Sequence, residues 1–183
     1  MGGRVDFREG EAPAEPQLCL KGSSGSVEAT VYWTNGELML LAAAGVEIDI
    51  RIAGYEFIDN PTDDPNWLLF EGRVRHPRGN WQFRVPAMEV LEAVRLADWL
   101  DAVRQGTEDV PWCLFADSYL AFGTPGGFEP RVLQVFFGRE ARAPWNPPGT
   151  SHSVDLPLAA IDLETAVESL RMDLLNFPQR NES

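Results

Sequence analysis

Val46-Glu-Ile-Asp-Ile-Arg-Ile-Ala53 is the stretch on which the fold turns. Val46, Ile48, Ile50 and Ile52 alternate with Glu47, Asp49, Arg51 and Ala53. Period two with one apolar and one polar set describes a strand with a buried face and a wet face. A strand of a parallel sheet, covered on both sides, would read as a continuous apolar run instead. The segment therefore belongs to an antiparallel sheet.

Working outward, the loop Asp59-Asn-Pro-Thr-Asp-Asp-Pro-Asn66 excludes a helix through its two prolines. Trp67 to Arg75 alternates again, His76-Pro-Arg-Gly-Asn80 is a turn, and Trp81, Phe83 and Val85 mark a third strand. Short links between neighbouring strands predict an antiparallel meander. Upstream, Val27 to Trp33 alternates weakly, Asn35-Gly36 is a hairpin signal, and Glu37 to Ala44 reads as the returning strand of a hairpin over 26–44, either an accessory element or an added edge pair. Residues 1–25, rich in Gly, Pro, Glu and Ser, read as a mobile leader. A single domain is expected over 45–183.

Met88 to Gln105 carries Ala93, Leu96, Ala97, Leu100 and Val103 at helical spacing, with Gly106 as its stop. Its outer face bears Glu89, Glu92, Asp98 and Asp101. More strands follow at Trp112 to Ala116, Tyr119 to Gly123 and Arg131 to Glu140, the last apolar enough to be central and covered on both faces. Ser153 to Leu158 is a short strand. A final helix runs from about Asp162, its N-cap, to Asn176, and Pro178 ends it. The order strands, helix, strands, helix lacks the regular alternation of a doubly wound sheet. The expected class is α+β: a mostly antiparallel sheet carrying two helices, about 88–105 and 162–176.

The 183 residues hold 15 basic and 28 acidic side chains, a net charge of −13. Such a chain lacks the cations that phosphate neutralisation or an anionic membrane surface requires. No apolar run approaches the ~20 residues of a membrane span, and the first residues show no signal-peptide pattern, so a cytoplasmic protein is expected. Cys19 and Cys113 have no metal or disulfide spacing. Asp59, Asp63 and Asp64 lack the glycine and terminal glutamate of a calcium loop. The two histidines, His76 and His152, read as solvated loop residues; Ser151, His152 and Asp155 are adjacent in sequence without any nucleophile-elbow motif. Gly123-Thr-Pro-Gly-Gly127 lacks the lysine of a phosphate loop. No catalytic, cofactor or metal residue is assigned.

Several phrases in order carry a resemblance. They are Gly54-Tyr-Glu-Phe57, Asp64-Pro-Asn-Trp-Leu68, Glu71-Gly-Arg-Val74 and Trp81-Gln-Phe83 with Pro86. After them come Leu91-Glu-Ala-Val-Arg-Leu-Ala-Asp-Trp-Leu100 with Gly106, then Phe115, Leu120-Ala-Phe122, Val135-Phe-Phe137 with Glu140, and Leu174-Leu-Asn-Phe-Pro-Gln-Arg180. From Gly45 to Arg180 the chain resembles the WapI family of bacterial immunity proteins. It departs from that pattern at Ala116-Asp-Ser118, where the family has an acidic-proline phrase, and the first 44 residues have no counterpart in it.

The resemblance implies a non-catalytic antitoxin that binds a cognate contact-delivered toxin domain of the WapA type, often a tRNA-directed RNase, and neutralises it by stoichiometric occlusion. An RNase domain is basic, so an acidic partner gains electrostatic steering toward it. Candidate contacts are Asp59, Asp63 and Asp64 in the loop, Glu89, Glu92, Asp98 and Asp101 on the first helix, and Trp145 between Pro144 and Pro147, expected to be exposed. No direct nucleic-acid or membrane partner is expected. The alternative is a small-molecule binder or hydrolase using a cleft between sheet and helices.

Overall fold

A computed structural model describes residues 38–57, 65–126 and 130–180. The expected leader, the hairpin signal Asn35-Gly36, Cys19 and the loop acids Asp59, Asp63 and Asp64 lie outside these residues.

The alternating segment is a strand of a four-stranded antiparallel meander in the order β1-β2-β3-β4: Met39–Ala43, Val46–Tyr55, Trp67–His76 and Gly79–Glu89. Its register shows why the alternation is selected. One row across the sheet is Leu41, Ile48, Val74 and Trp81; the next is Met39, Ile50, Gly72 and Phe83. All face the core, and a one-residue slip in any strand would drive an apolar set into water. Gly72 is where the ring of Phe83 lies flat on the sheet, since a Cβ there would meet that ring at 2.2 Å. The opposite face pairs Glu47 with Arg75, Asp49 with Arg73, and Arg51 with Glu71. Ion pairs close across it from Arg51 to Glu71 at 2.8 Å, from Arg84 to Glu71 at 3.0 Å, and from Arg75 to Glu47.

The returning strand expected at Glu37 to Ala44 is, over Met39–Ala43, the edge strand of this main sheet. Its turn to β2 is Ala44-Gly45, with φ of 54° and 79° at the two residues. That is the geometry of a two-residue primed turn, matched to strand twist.

The remaining strands do not extend this sheet. Trp112–Cys113 (β5), Leu120–Gly123 (β6), Val132–Phe137 (β7) and His152–Pro157 (β8) form a second four-stranded antiparallel sheet, in that order. Leu133, Val135 and Phe137 of β7 are fully buried. Phe137 packs edge-to-face on Trp81 at 5.3 Å and on Phe83 at 5.8 Å. The two sheets thus share one apolar core. β7 is central in pairing, as expected, but its second face is only half covered: Gln134 and Phe136 are half-buried.

Helix α1 spans Val90–Gln105 and α2 spans Leu163–Leu175. α1 begins two residues later than expected because Met88 and Glu89 still pair with Leu68 and Trp67. Gly106 ends it in the left-handed conformation, φ 69°, where glycine pays no Cβ penalty. Asp162 caps α2 as expected, its Oδ1 accepting from the Thr165 N–H at 3.0 Å. The helices pack on each other, and α2 also lies against β1 and β2. Buried Asp173 of α2 accepts the Ile52 N–H at 3.2 Å, beside the bulge where β2 slips register between Ile52 and Gly54.

The terminal phrase Leu174 to Arg180 is pinned rather than loose. Phe177 meets Tyr55 edge-to-face at 5.6 Å, and the Arg180 guanidinium sits 3.5 Å from the Tyr55 ring centre. Asn66 closes the tail reciprocally: its amide donates to the Arg180 carbonyl at 3.2 Å and accepts the Arg180 N–H at 2.7 Å.

Candidate interaction surface

The four acids expected on the outer face of α1 have different tasks. Glu89 is the N-cap residue, and its N–H donates to Oε2 of Glu92 at 3.2 Å, half of a capping box. Glu92 also accepts the Ala116 N–H through Oε1 at 3.0 Å. Half-buried Glu92 therefore ties the helix start to the segment after β5. Asp98 is exposed and lies 3.1 Å from Arg171 of α2; Asp101 contacts the same guanidinium at 3.5 Å and Arg104 at 2.8 Å. Hydrogen bonds from Arg104 and Gln105 hold the Asp101 carboxyl below the usual carboxylate range. The same pair holds the Arg104 guanidinium above its ordinary value. Glu164 and Glu168 of α2 are also exposed. Over the two helices and their N-caps, eight acids stand against three arginines. The outer face of the first sheet is close to balanced, with Arg51, Arg73, Arg75 and Arg84 against Glu47, Asp49 and Glu71. There, burial pushes the Asp49 carboxyl up despite the opposing pull of Arg75 and Arg73.

Beside α1 the structure makes a groove that the sequence did not announce. Trp99 donates through Nε1 to the Val110 carbonyl at 2.9 Å, and Arg95 donates to the Leu114 carbonyl at 2.5 Å. These bonds tie the chain on both sides of β5 to the helix. Between helix and strand lies a concavity of about 510 Å³ lined in part by Asp98, Asp109, Val110, Trp112 and Leu114. Past Trp112 a second concavity of about 340 Å³ is lined by Leu114, Phe115 and Phe136. Burial raises the pKa of the Cys113 thiol at the base of the first.

Trp145, expected to be exposed, is half-buried. It packs edge-to-face on Trp81 at 5.2 Å and on His152 at 5.8 Å, with Arg78 stacked over it at 5.4 Å. The same cluster corrects the expectation for the histidines. His76 ends β3 and His152 begins β8, and their rings meet at 5.6 Å. Burial first, then the charges of His76 and Arg78, lower the His152 pKa. His76 Nδ1 accepts the Arg78 N–H at 3.1 Å. Asp155 cannot complete a triad with His152. It lies three residues along β8, on the opposite face, where it accepts from Gln134 at 2.5 Å. Nothing in the spacing of two lone histidines foretold their meeting, since the contact joins separate sheets.

Among the described residues no group of three or more His, Cys, Asp or Glu side chains is placed to hold a metal ion. No helix there is long and apolar enough to cross a membrane. Two antiparallel sheets, two helices and a groove edged by acids and apolar side chains define an α+β protein. The chain belongs to the WapI-like immunity protein family, whose description matches residues 39–178. The match starts at β1, so the edge strand is part of the family's region. No curated protein and no solved structure matches the chain.

Proposed function

We propose that this chain is a non-catalytic immunity protein acting in the cytoplasm of the producing cell, where it binds a cognate RNA-cleaving toxin domain one to one and occludes it. Membership of the WapI-like family across 39–178 is the observation that carries this reading. The excess of acids on the helix layer supports it, because a domain that grips RNA presents a basic surface. In that reading exposed Asp98 and neighbouring Asp101 stand in for phosphates, while Glu89 and Glu92 hold the helix start that presents them. Asp59, Asp63 and Asp64 remain candidate contacts from the loop before β3.

The test is growth of a host expressing the toxin domain encoded beside this gene, with and without this chain, together with a pull-down of the two proteins. Rescue with a stoichiometric complex is expected. Neither rescue nor complex, from a chain that melts cooperatively, would refute the immunity role.

A further inference from the structure

We infer that the toxin domain docks in the groove between α1 and β5, with the Trp112 ring and the Leu114 side chain as its apolar anchors. The inference deepens the immunity reading and rests on it.

Three observations converge on this surface. The first is where large apolar side chains meet solvent. Apart from Leu40, those that are exposed among the described residues lie on α1, on α2 or on the segment 110–114. Leu114 is 60% exposed and Val110 48%, on either side of Trp112; Leu91, one turn before Arg95 on α1, is 58% exposed. Val110 and Leu114 line the same concavity as Trp112, and contiguous exposed apolar groups mark an interaction site, whereas scattered ones need no explanation.

The second is that the groove is already formed. Trp112 borders both concavities and stands between them. Its ring lies on Gly123, where a Cβ would meet it at 2.1 Å, and leans on Phe136 at 5.5 Å. The bonds from Trp99 to Val110, from Arg95 to Leu114 and from Ala116 to Glu92 hold the chain around it. A tryptophan fixed in advance beside a pocket loses little freedom on binding, and this is how interface hot spots gain their energy.

The third is charge. Asp98 and Asp109 line the groove, and the one cation among the described residues that line it, Arg95, is engaged with the Leu114 carbonyl and with Glu92 at 3.5 Å. The acid excess of the helix layer continues from this rim. The occupant that fits is a basic protein surface offering an apolar side chain to Trp112, and the toxin domain is that partner.

The experiment measures the affinity of the full chain for the purified, catalytically inactivated toxin domain encoded beside it. Wild type is compared with Trp112→Ala, Leu114→Arg and Leu40→Arg, with melting curves for all. Leu114 is exposed, so Leu114→Arg should keep the native melting curve even if Trp112→Ala does not. The expected result is a loss of about 30-fold or more for Trp112→Ala and Leu114→Arg, with Leu40→Arg unchanged. Wild-type affinity in Leu114→Arg would overturn the docking surface while leaving the immunity role standing. A wild-type chain that binds no toxin would overturn both. Sedimentation supplies a further refutation: if Leu114→Arg splits a dimer of this chain without altering toxin affinity, the groove receives a second copy instead.

Discussion

His152 shows how much a single residue depends on partners that its own neighbourhood does not reveal. Its ring meets His76 from β3, Trp81 from β4 and Trp145 from the loop before β8, and the charge of Arg78 from the turn after β3 acts on it. Burial first, then electrostatic repulsion from the side of His76 and Arg78, depresses its folded pKa, so the unfolded chain binds the proton more readily. The stability it contributes is complete above the unfolded value, near 6.5, and is lost as pH falls through the folded pKa. The urea midpoint, followed by tryptophan fluorescence, is therefore expected to fall between about pH 7 and 5. His152→Phe should flatten that part of the profile; an identical slope in the variant would refute the assignment. Gly138 makes a different kind of point. Its φ of −110° suits any residue, yet a Cβ would meet the Ser118 carbonyl oxygen at 2.1 Å. Backbone cannot swing aside as a side chain can, so Gly138→Ala should destabilise by about 1–3 kcal/mol in chemical denaturation. Gly126→Ala, with nothing within 4 Å, should stay within about 0.5 kcal/mol of wild type.

At the scale of elements, the sequence speaks clearly wherever the deciding interactions are local. β2, β3 and β4 are legible from alternation and short turns, and α2 from Asp162, its apolar stripe and Pro178. What escaped is non-local. Whether Trp112 and the strands after it extend the first sheet or build another depends on packing between residues such as Trp81 and Phe137, far apart in the chain. The acids of α1 were legible as a set, but not the division of labour that makes Glu92 a tie and leaves Asp98 on the surface. The groove at Trp112 was invisible because no single segment forms it. The turn into β2 carries no preferred turn pair in the sequence: it is built on Ala44 at φ 54°, whereas the turn signal Asn35-Gly36 lies outside the described residues. An L-residue with a Cβ there costs roughly 1–2 kcal/mol. Ala44→Asn, a residue that tolerates this region, should stabilise the chain by about 0.5–1 kcal/mol and raise the melting temperature by about 1–4 °C. A lower melting temperature would show that the turn is held for another purpose.

For the whole molecule, the net charge of −13 matters less than its distribution. Acids dominate the helix layer, while on the outer face of the first sheet they are matched by arginines. An uneven field of this kind acts before contact, by orienting a basic partner as it approaches, and it fades once salt shortens its reach to a few ångströms. Asp98, Glu164 and Glu168 are exposed contributors to it. Replacing them by amides keeps the size of each side chain and removes the charge without setting a new cation against Arg171 or Arg104. Asp98→Asn, Glu164→Gln and Glu168→Gln together should lower the association rate with the toxin domain by about 3–10-fold at low ionic strength. Dissociation should quicken only through Asp98, which lines the docking groove; Glu164→Gln and Glu168→Gln alone should leave it nearly unchanged, because steering ends where close contact begins. The two proteins' association rates should converge as salt rises toward 0.5 M, the variant showing the shallower dependence, since it has less charge to screen. Stopped-flow association across a salt series reads both rate and slope. Parallel salt dependences for variant and wild type would show that the helix layer does not guide the encounter.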